Sequence, residues 1–315
     1  MEIIRYSSQY KAEWNATVKS SANGTFLHNR DFMDYHKDRF EDVSLLFVHK
    51  NKIKGVLPAN LKGENVYSHG GLTYGGLIWP AATSSQDVAE MLQLAAEYYV
   101  GQMHASNLYY KAVPYIYHSY PSSQDLYFLT QKGATLLHRT LSSTILIQKA
   151  LPFSKLRQRH MRKAEKMGLS IRMDDNPATW QKYWEILSTV LRDKHQKTPV
   201  HSLQEILLLK SHFAKEIRLL TVVYNDTLIA GTVLFLTSCV IHAQYIAANE
   251  MGREMGALDM LFDYILHSGE YQQYAYLDFG ISTENEGRCI NHGLLFQKEG
   301  FGARGVCYDE YLLKL

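Results

Sequence analysis

Two stretches decide how this chain is read: SLLFVHKNKIKGVLPANL at residues 44–61 and LLTVVYNDTLIAGTVLFL at residues 219–236. Each is an apolar run, a polar turn and a second apolar run, the pattern of a β-hairpin. Lys50 to Lys52 supply the first turn, and Asn225 with Asp226 the second. The segments after the two hairpins are also alike. VYSHGGLTYGGLI leads into a helix expected over about residues 85–104, where Val88, Met91, Leu92 and Ala95 recur at helical spacing. VIHAQYIAA and an expected turn, NEMGREMG, lead into a second helix, in which Leu258, Leu261, Phe262 and Ile265 repeat that spacing. A short strand comes next in each half, NLYYKAVP and YAYLDFGI, and each half closes on another, TLSSTILI and YDEYLLKL. One element order used twice predicts a mixed α/β fold built from two tandem domains, residues 1–150 and 151–315, divided near KALPFS at 149–154.

Local signals add detail. Ser122 with Asp125 and Ser202 with Glu205 have capping-box spacing, and Asn176 before Pro177 marks a further helix start. The chain has 315 residues, 46% of them hydrophobic, enough for real cores. Its 33 basic and 31 acidic side chains leave a net charge of +2, so any charge-driven function must be local. Cys239, Cys289 and Cys307 lack metal-ligand spacing and read as reduced, packed thiols. The first residues lack the apolar core of a signal peptide and no run is long enough to span a bilayer, so the expectation is a cytoplasmic protein with no membrane insertion.

Charge concentrates in KLRQRHMRKAEKMG, residues 155–168. On a helix, Lys155, Arg159, Arg162 and Lys166 fall at i, i+4, i+7 and i+11, one stripe, with Leu156, Met161, Ala164 and Met167 on the opposite arc and Gly168 as a stop. Like charges on neighbouring turns cost roughly a few tenths of a kcal/mol per pair. Glu165 is the one acid in the segment, so an anionic partner explains the stripe better than a solvated face does. GLLFQKEGFGARG, residues 293–305, carries four glycines, which argue against a plain helix. It places Lys298 on a turn between Phe296 and Phe301, a cation aimed at a bound anion or a developing oxyanion.

A hairpin, a central strand, a glycine-rich turn, a helix and another strand is the order found in GNAT-type acyltransferases, whose two central strands splay beside a helix N-terminus. Three motifs narrow the resemblance. RQRHMRKAEKMGLSI resembles the basic helix R-x-x-x-R-K-A-x-K-x-G opening the second domain of the FemABX peptidoglycan aminoacyltransferases; YLDFGIS resembles their Y-D-F-G-G-I turn; GLLFQKEGFG resembles their G-L-x-x-F-K-x-x-F-G segment. GTFLHNRDF near residue 26 is similar to a weakened F-L-Q-S-x-x-W, with Phe32 in place of the tryptophan and His36 and Lys37 where the following basic residue falls.

The resemblance implies transfer of an acyl or aminoacyl group onto an amine, commonly on a cell-wall precursor. It places Lys298 near substrate phosphates and reacting groups, with Phe296 and Phe301 excluding water. It further implies a small-molecule or nucleotide-linked acceptor contacted by Arg159, Arg162, His36, Lys37, His69 and Tyr74. The donor is left as acyl-coenzyme A or aminoacyl-tRNA, with no covalently bound cofactor and no metal. GREMGAL offers Arg253 and Gly256 toward a pyrophosphate, although Leu258 stands where a small residue belongs. His242, on VIHAQYIAA, is the second choice after Lys298 for a catalytic role, as a base, and Asp278 is expected near the cleft mouth to orient the amine. Two rivals remain: a coenzyme A-dependent acetyltransferase acting on an amino sugar or small amine, and a non-catalytic scaffold binding a glycan or nucleotide sugar. No nucleophile elbow, H-E-x-x-H or complete P-loop is present.

Overall fold

The computed structural model describes the backbone of all 315 residues and every side chain except that of His195. The chain forms two compact units: Met1–Thr140 with Asn285–Arg288 and Cys307–Leu315, and Leu141–Glu284 with Cys289–Val306.

In the first unit the strands are β1 (Glu2–Arg5), β2 (Glu41–Asp42), β3 (Leu45–His49), β4 (Lys52–Leu57), β5 (Asn60–Lys62), β6 (Asn65–Tyr67), β7 (Asn107–Lys111) and the start of β8 (Thr135–Leu146). Its helices are α1 (Lys11–Lys19), α2 (Arg30–Met33), α3 (Ser85–Met103) and α4 (Gln124–Gln131). The second unit holds α5 (Lys155–Lys166), β9 (Ser170–Met173), α6 (Pro177–His195), α7 (Leu203–His212), β10 (Ile217–Tyr224), β11 (Thr227–Leu236) and β12 (Val240–Ala248). It continues through α8 (Glu250–Met255), α9 (Ala257–His267), β13 (Tyr276–Ile281), β14 (Thr283–Glu284), β15 (Cys289–Ile290) and α10 (His292–Glu299), and β16 (Arg304–Lys314) returns to the first unit.

The two hairpins are built the same way. Lys50 and Asn51 have φ of 49° and 59°, Asn225 and Asp226 46° and 56°, so each turn has two left-handed central residues, the geometry that matches the twist of paired strands. Each hairpin also carries a register shift just before its turn, between Phe47 and Val48 in one and Val222 and Val223 in the other.

In the first unit β1–β3–β4 form one sheet, and β2, β5, β6, β7 and β16 lie in that order in another, with β6 and β7 parallel. The apolar stripe of α3 (Val88, Met91, Leu92, Ala95 and Tyr99) closes over Val43, Leu45, Phe47, Leu57, Val66 and Leu108. In the second unit the order is β8–β13–β12–β11–β10–β9, antiparallel except for β12 with β13. Alternation sorts its two faces. Leu220 and Val222 meet Leu261, Phe262 and Ile265 of α9, whereas Tyr183 of α6 lies against Gly231, where a Cβ would sit 2.9 Å from its ring.

The parallel pair is short. β12 and β13 are in register only from Val240 opposite Tyr276 to His242 opposite Asp278, yet β12 runs on to Ala248 and β13 to Ile281. The strands part just beyond His242, where Gly280, at φ +72°, turns β13 aside.

Several local expectations are corrected. NEMGREMG is not a turn: it winds into α8, with Asn249 capping the amide of Gly252. α4 starts after Ser123 without a side-chain cap, because Asp125 is drawn inward to the Tyr110 hydroxyl. Ser202 with Glu205, and Asn176 with Pro177, cap as expected. On α5 only Ala164 of the apolar arc is buried, since the helix meets α9 through Arg157 and His160, both paired with Asp259. The three thiols are free, but Cys289 and Cys307 are exposed rather than packed.

Candidate active site

The parting strands leave His242 as the last paired residue of β12, with Asp278 beside it. His242 Nδ1 lies 2.8 Å from Asp278 Oδ2. The other carboxylate oxygen accepts from Ser142 Oγ at 2.5 Å and Thr144 Oγ1 at 2.8 Å. Thr144 lies opposite Asp278 in the β8–β13 ladder and Ser142 is two positions along, so both hydroxyls share the face of that carboxylate. Asp278 is fully buried; His242 is partly exposed. An acid acting as acceptor to three groups fixes the imidazole with its proton on Nδ1 and puts the ring's lone pair on Nε2. A Cβ at Gly280 would stand 3.4 Å from His242 Cε1 and 3.9 Å from Nε2. The glycine that opens the strands thus also puts no side chain of its own against this ring edge.

Lys298 reaches the same strand, β13. It lies in the last turn of α10, and its Nζ donates to the carbonyls of Gly280 (2.8 Å) and Ile281 (2.7 Å). Burial pushes its pKa from 10.5 down to about 8, opposed by the negative charge of Asp278. An ammonium has three N–H donors and two are engaged, so the third stays available while the group is protonated.

The structure brings Lys298, His242 and Asp278 together, with roles that differ from the expected ones. Lys298 sits on a helix, not a turn. Of its two expected shields, Phe301 is buried under the Arg157 guanidinium, 3.8 Å from its ring centroid, but Phe296 is 73% exposed. Asp278 cannot orient a substrate amine from full burial; it orients His242. Ser142 and Thr144 were not among the expected site residues, although hydroxyls at alternate positions of the strand TLSSTILI were the signal.

The remaining candidates lie elsewhere. His36, His69 and Tyr74 are buried in the first unit, so they do not line an open groove. Tyr74 donates to Thr25 Oγ1 and packs against Tyr117, and His36 lies against Tyr35, Phe40 and His69. Burial lowers the pKa of His69 to about 3 and that of His28 to about 4, which keeps both neutral. Lys37 is exposed at the end of its short helix, and Arg159 and Arg162 are exposed on α5. Arg253 donates to the carbonyl of Ala248, and Gly256 is pressed on α5, where a Cβ would lie 2.6 Å from the His160 carbonyl. Neither forms an open anion cradle. Among the described residues there is no cluster of His, Cys, Asp and Glu that could hold a metal ion. None of the described helices is long and apolar enough to cross a membrane.

Two units with matching hairpins, the second with a splayed parallel pair flanked by antiparallel strands and helices, define a tandem GNAT-like fold. Residues 154–287 match the family model described as an acetyltransferase (GNAT) domain. Along its whole length the chain is FemABX-like in fold. It superposes on the crystal structure of FemX with a TM-score of 0.70 at 13% identity, covering 100% of this chain and 98% of that one. L-PGS from Bacillus licheniformis matches with a TM-score of 0.63 at 10% identity, over 98% of this chain and 92% of that one. The C-terminal domain of a putative lysylphosphatidylglycerol synthetase from Agrobacterium fabrum matches with a TM-score of 0.60 at 10% identity, with the same coverage, 98% and 92%. No curated protein sequence matches the chain.

Proposed function

We propose that the second unit transfers an acyl or aminoacyl group from an activated ester to an amine, with His242 as the base. The observation that carries this reading is the imidazole held by a buried carboxylate, its other edge facing Gly280, with the Lys298 ammonium bound to the same turn. The amine nitrogen attacks the ester carbonyl and the C–N bond forms as its proton passes to His242 Nε2. The tetrahedral oxyanion meets the remaining N–H of Lys298. The carbon–oxygen bond to the leaving group then breaks, and the leaving oxygen takes the proton from the imidazolium. Asp278 touches no substrate; it is a positioning residue, steadied by Ser142 and Thr144. No covalent enzyme intermediate is needed.

The geometry favours an aminoacyl ester over a coenzyme A thioester. A pyrophosphate needs free amides at a helix start. Here the corresponding segment is wound into α8, and the first turn of α9 already holds a carboxylate, Asp259, clamped by Arg157 at 2.9 Å and facing His160 at 3.5 Å. An amine on a cell-envelope precursor is the acceptor class implied by the resemblance to the FemABX enzymes, and the likeness in fold to FemX supports it.

The test offers labelled aminoacyl-tRNA and labelled acetyl-coenzyme A in parallel, with a panel of amino sugars, amino acid-bearing peptides and amine-bearing lipids, and scores amide product. Product from the aminoacyl ester, lost in His242→Gln, is expected. Equal turnover of acetyl-coenzyme A, or undiminished transfer by His242→Gln, overturns the reading.

A further inference from the structure

The basic stripe of α5 plays no part in the chemistry above. Lys155, Arg159, Arg162 and Lys166 are all exposed, and none makes a hydrogen bond or ion pair among the described residues. They point within one narrow arc along about 16 Å of helix. Arg159, Arg162 and Lys166, with Lys163 and Met167, line a surface concavity of about 450 Å³ that no carboxylate enters. In a chain with a net charge of only +2, this is a concentrated positive field.

One border is apolar. Leu156 and Met167, at the near edge of the opposite arc, are 48% and 40% exposed. Where α5 begins, the Ser154 amide donates to the Gly300 carbonyl and Arg157 Nη2 to that of Gln297, which ties the end of α10 to the start of α5. Lys298 takes the buried face of α10, and Phe296, two residues back and next to Gln297, is exposed near the start of α5.

We propose that this face docks the protein on the surface of an anionic lipid bilayer. Unpaired cations match phosphate headgroups, and Leu156, Met167 and Phe296 match the boundary just beneath them. A nucleic-acid strand would use the cations equally well, but it has no use for exposed aliphatic side chains and asks for several flat rings where this face offers one. The inference is independent of donor and acceptor, and its test needs neither.

The experiment is co-sedimentation with vesicles of phosphatidylcholine alone or mixed with phosphatidylglycerol. Binding is expected to the mixed vesicles and to weaken as salt rises. Each neutralised cation is worth about fivefold in partitioning, so Arg159→Gln with Arg162→Gln should lower it roughly 25-fold. Phe296→Ser should lower it severalfold even at high salt. All three side chains are exposed, and thermal melting verifies that the variants stay folded. Equal binding to both vesicle types, no effect of the paired arginine substitution, or tighter binding of a short RNA duplex at the same salt would overturn the proposal.

Discussion

The two units build hairpins with the same turn geometry and then treat their histidines in opposite ways. In the first, His28 and His69 are buried with no carboxylate on either ring, and burial, the largest cause, lowers their pKa values to about 4 and 3. In the second, His242 is partly exposed and has a fully buried carboxylate behind it. Burial without an acid locks an imidazole neutral and makes it packing. Burial of the acid in place of the ring makes it a base. The contrast teaches that one scaffold yields a filled half and a reactive half according to which member of the pair it hides.

The largest effect should come from removing the open ring. His242→Gln is expected to lower the transfer rate by about 10²- to 10⁴-fold with an unchanged circular dichroism spectrum. Asp278→Asn should act through the same ring, changing kcat far more than KM.

Acid should break the other half. An unfolded histidine takes its proton near pH 6.5, whereas His28 and His69 take theirs only at about 4 and 3, so the unfolded state binds more protons throughout that window. Stability present above pH 6.5 is lost as pH falls through it, by about 3 to 5 kcal/mol for each group. Urea titrations between pH 7 and pH 4 measure this, and His69→Gln should flatten the dependence.

Asp125 opposes that trend with a smaller effect. Burial raises its pKa from 3.8 to about 6, so the folded state binds more protons between those values and stability falls as pH rises through them. Asp125→Asn keeps an acceptor for the Tyr110 hydroxyl and should gain at most about 3 kcal/mol relative to the parent on going from pH 4 to pH 7, read from the same titrations.

Lys298 gives the finest test. As an ammonium it has a third donor for the oxyanion; above pH 8 its two remaining protons are both taken by the carbonyls of Gly280 and Ile281. The rate should fall on an alkaline limb near pH 8. Lys298→Met should lose that limb and about tenfold or more in rate below it.

The hairpins were legible because their cause is local: two residues suited to left-handed turns between apolar runs. His242 was legible as a strand residue facing the expected cleft. The role of Asp278 was not, because its burial and its two hydroxyl partners come from β8, more than 130 positions away in sequence. The Lys298 segment misled through its glycines. Gly293 lies at the start of α10 and Gly300 caps its end, positions where glycine costs a helix little, so they bound the helix instead of breaking it. On α5 the apolar arc promised a core contact, but the contact is made by Arg157 and His160 reaching Asp259, a pairing no helical period encodes.

The most direct measurement is ¹H–¹⁵N imidazole spectroscopy of the whole protein, with resonances assigned through single histidine substitutions. The account predicts that His242 carries its proton on Nδ1 at neutral pH, while His28 and His69 stay neutral down to about pH 4. A His242 ring that carries its proton on Nε2 instead at neutral pH, or a His69 that takes up a proton well above pH 4, would contradict it.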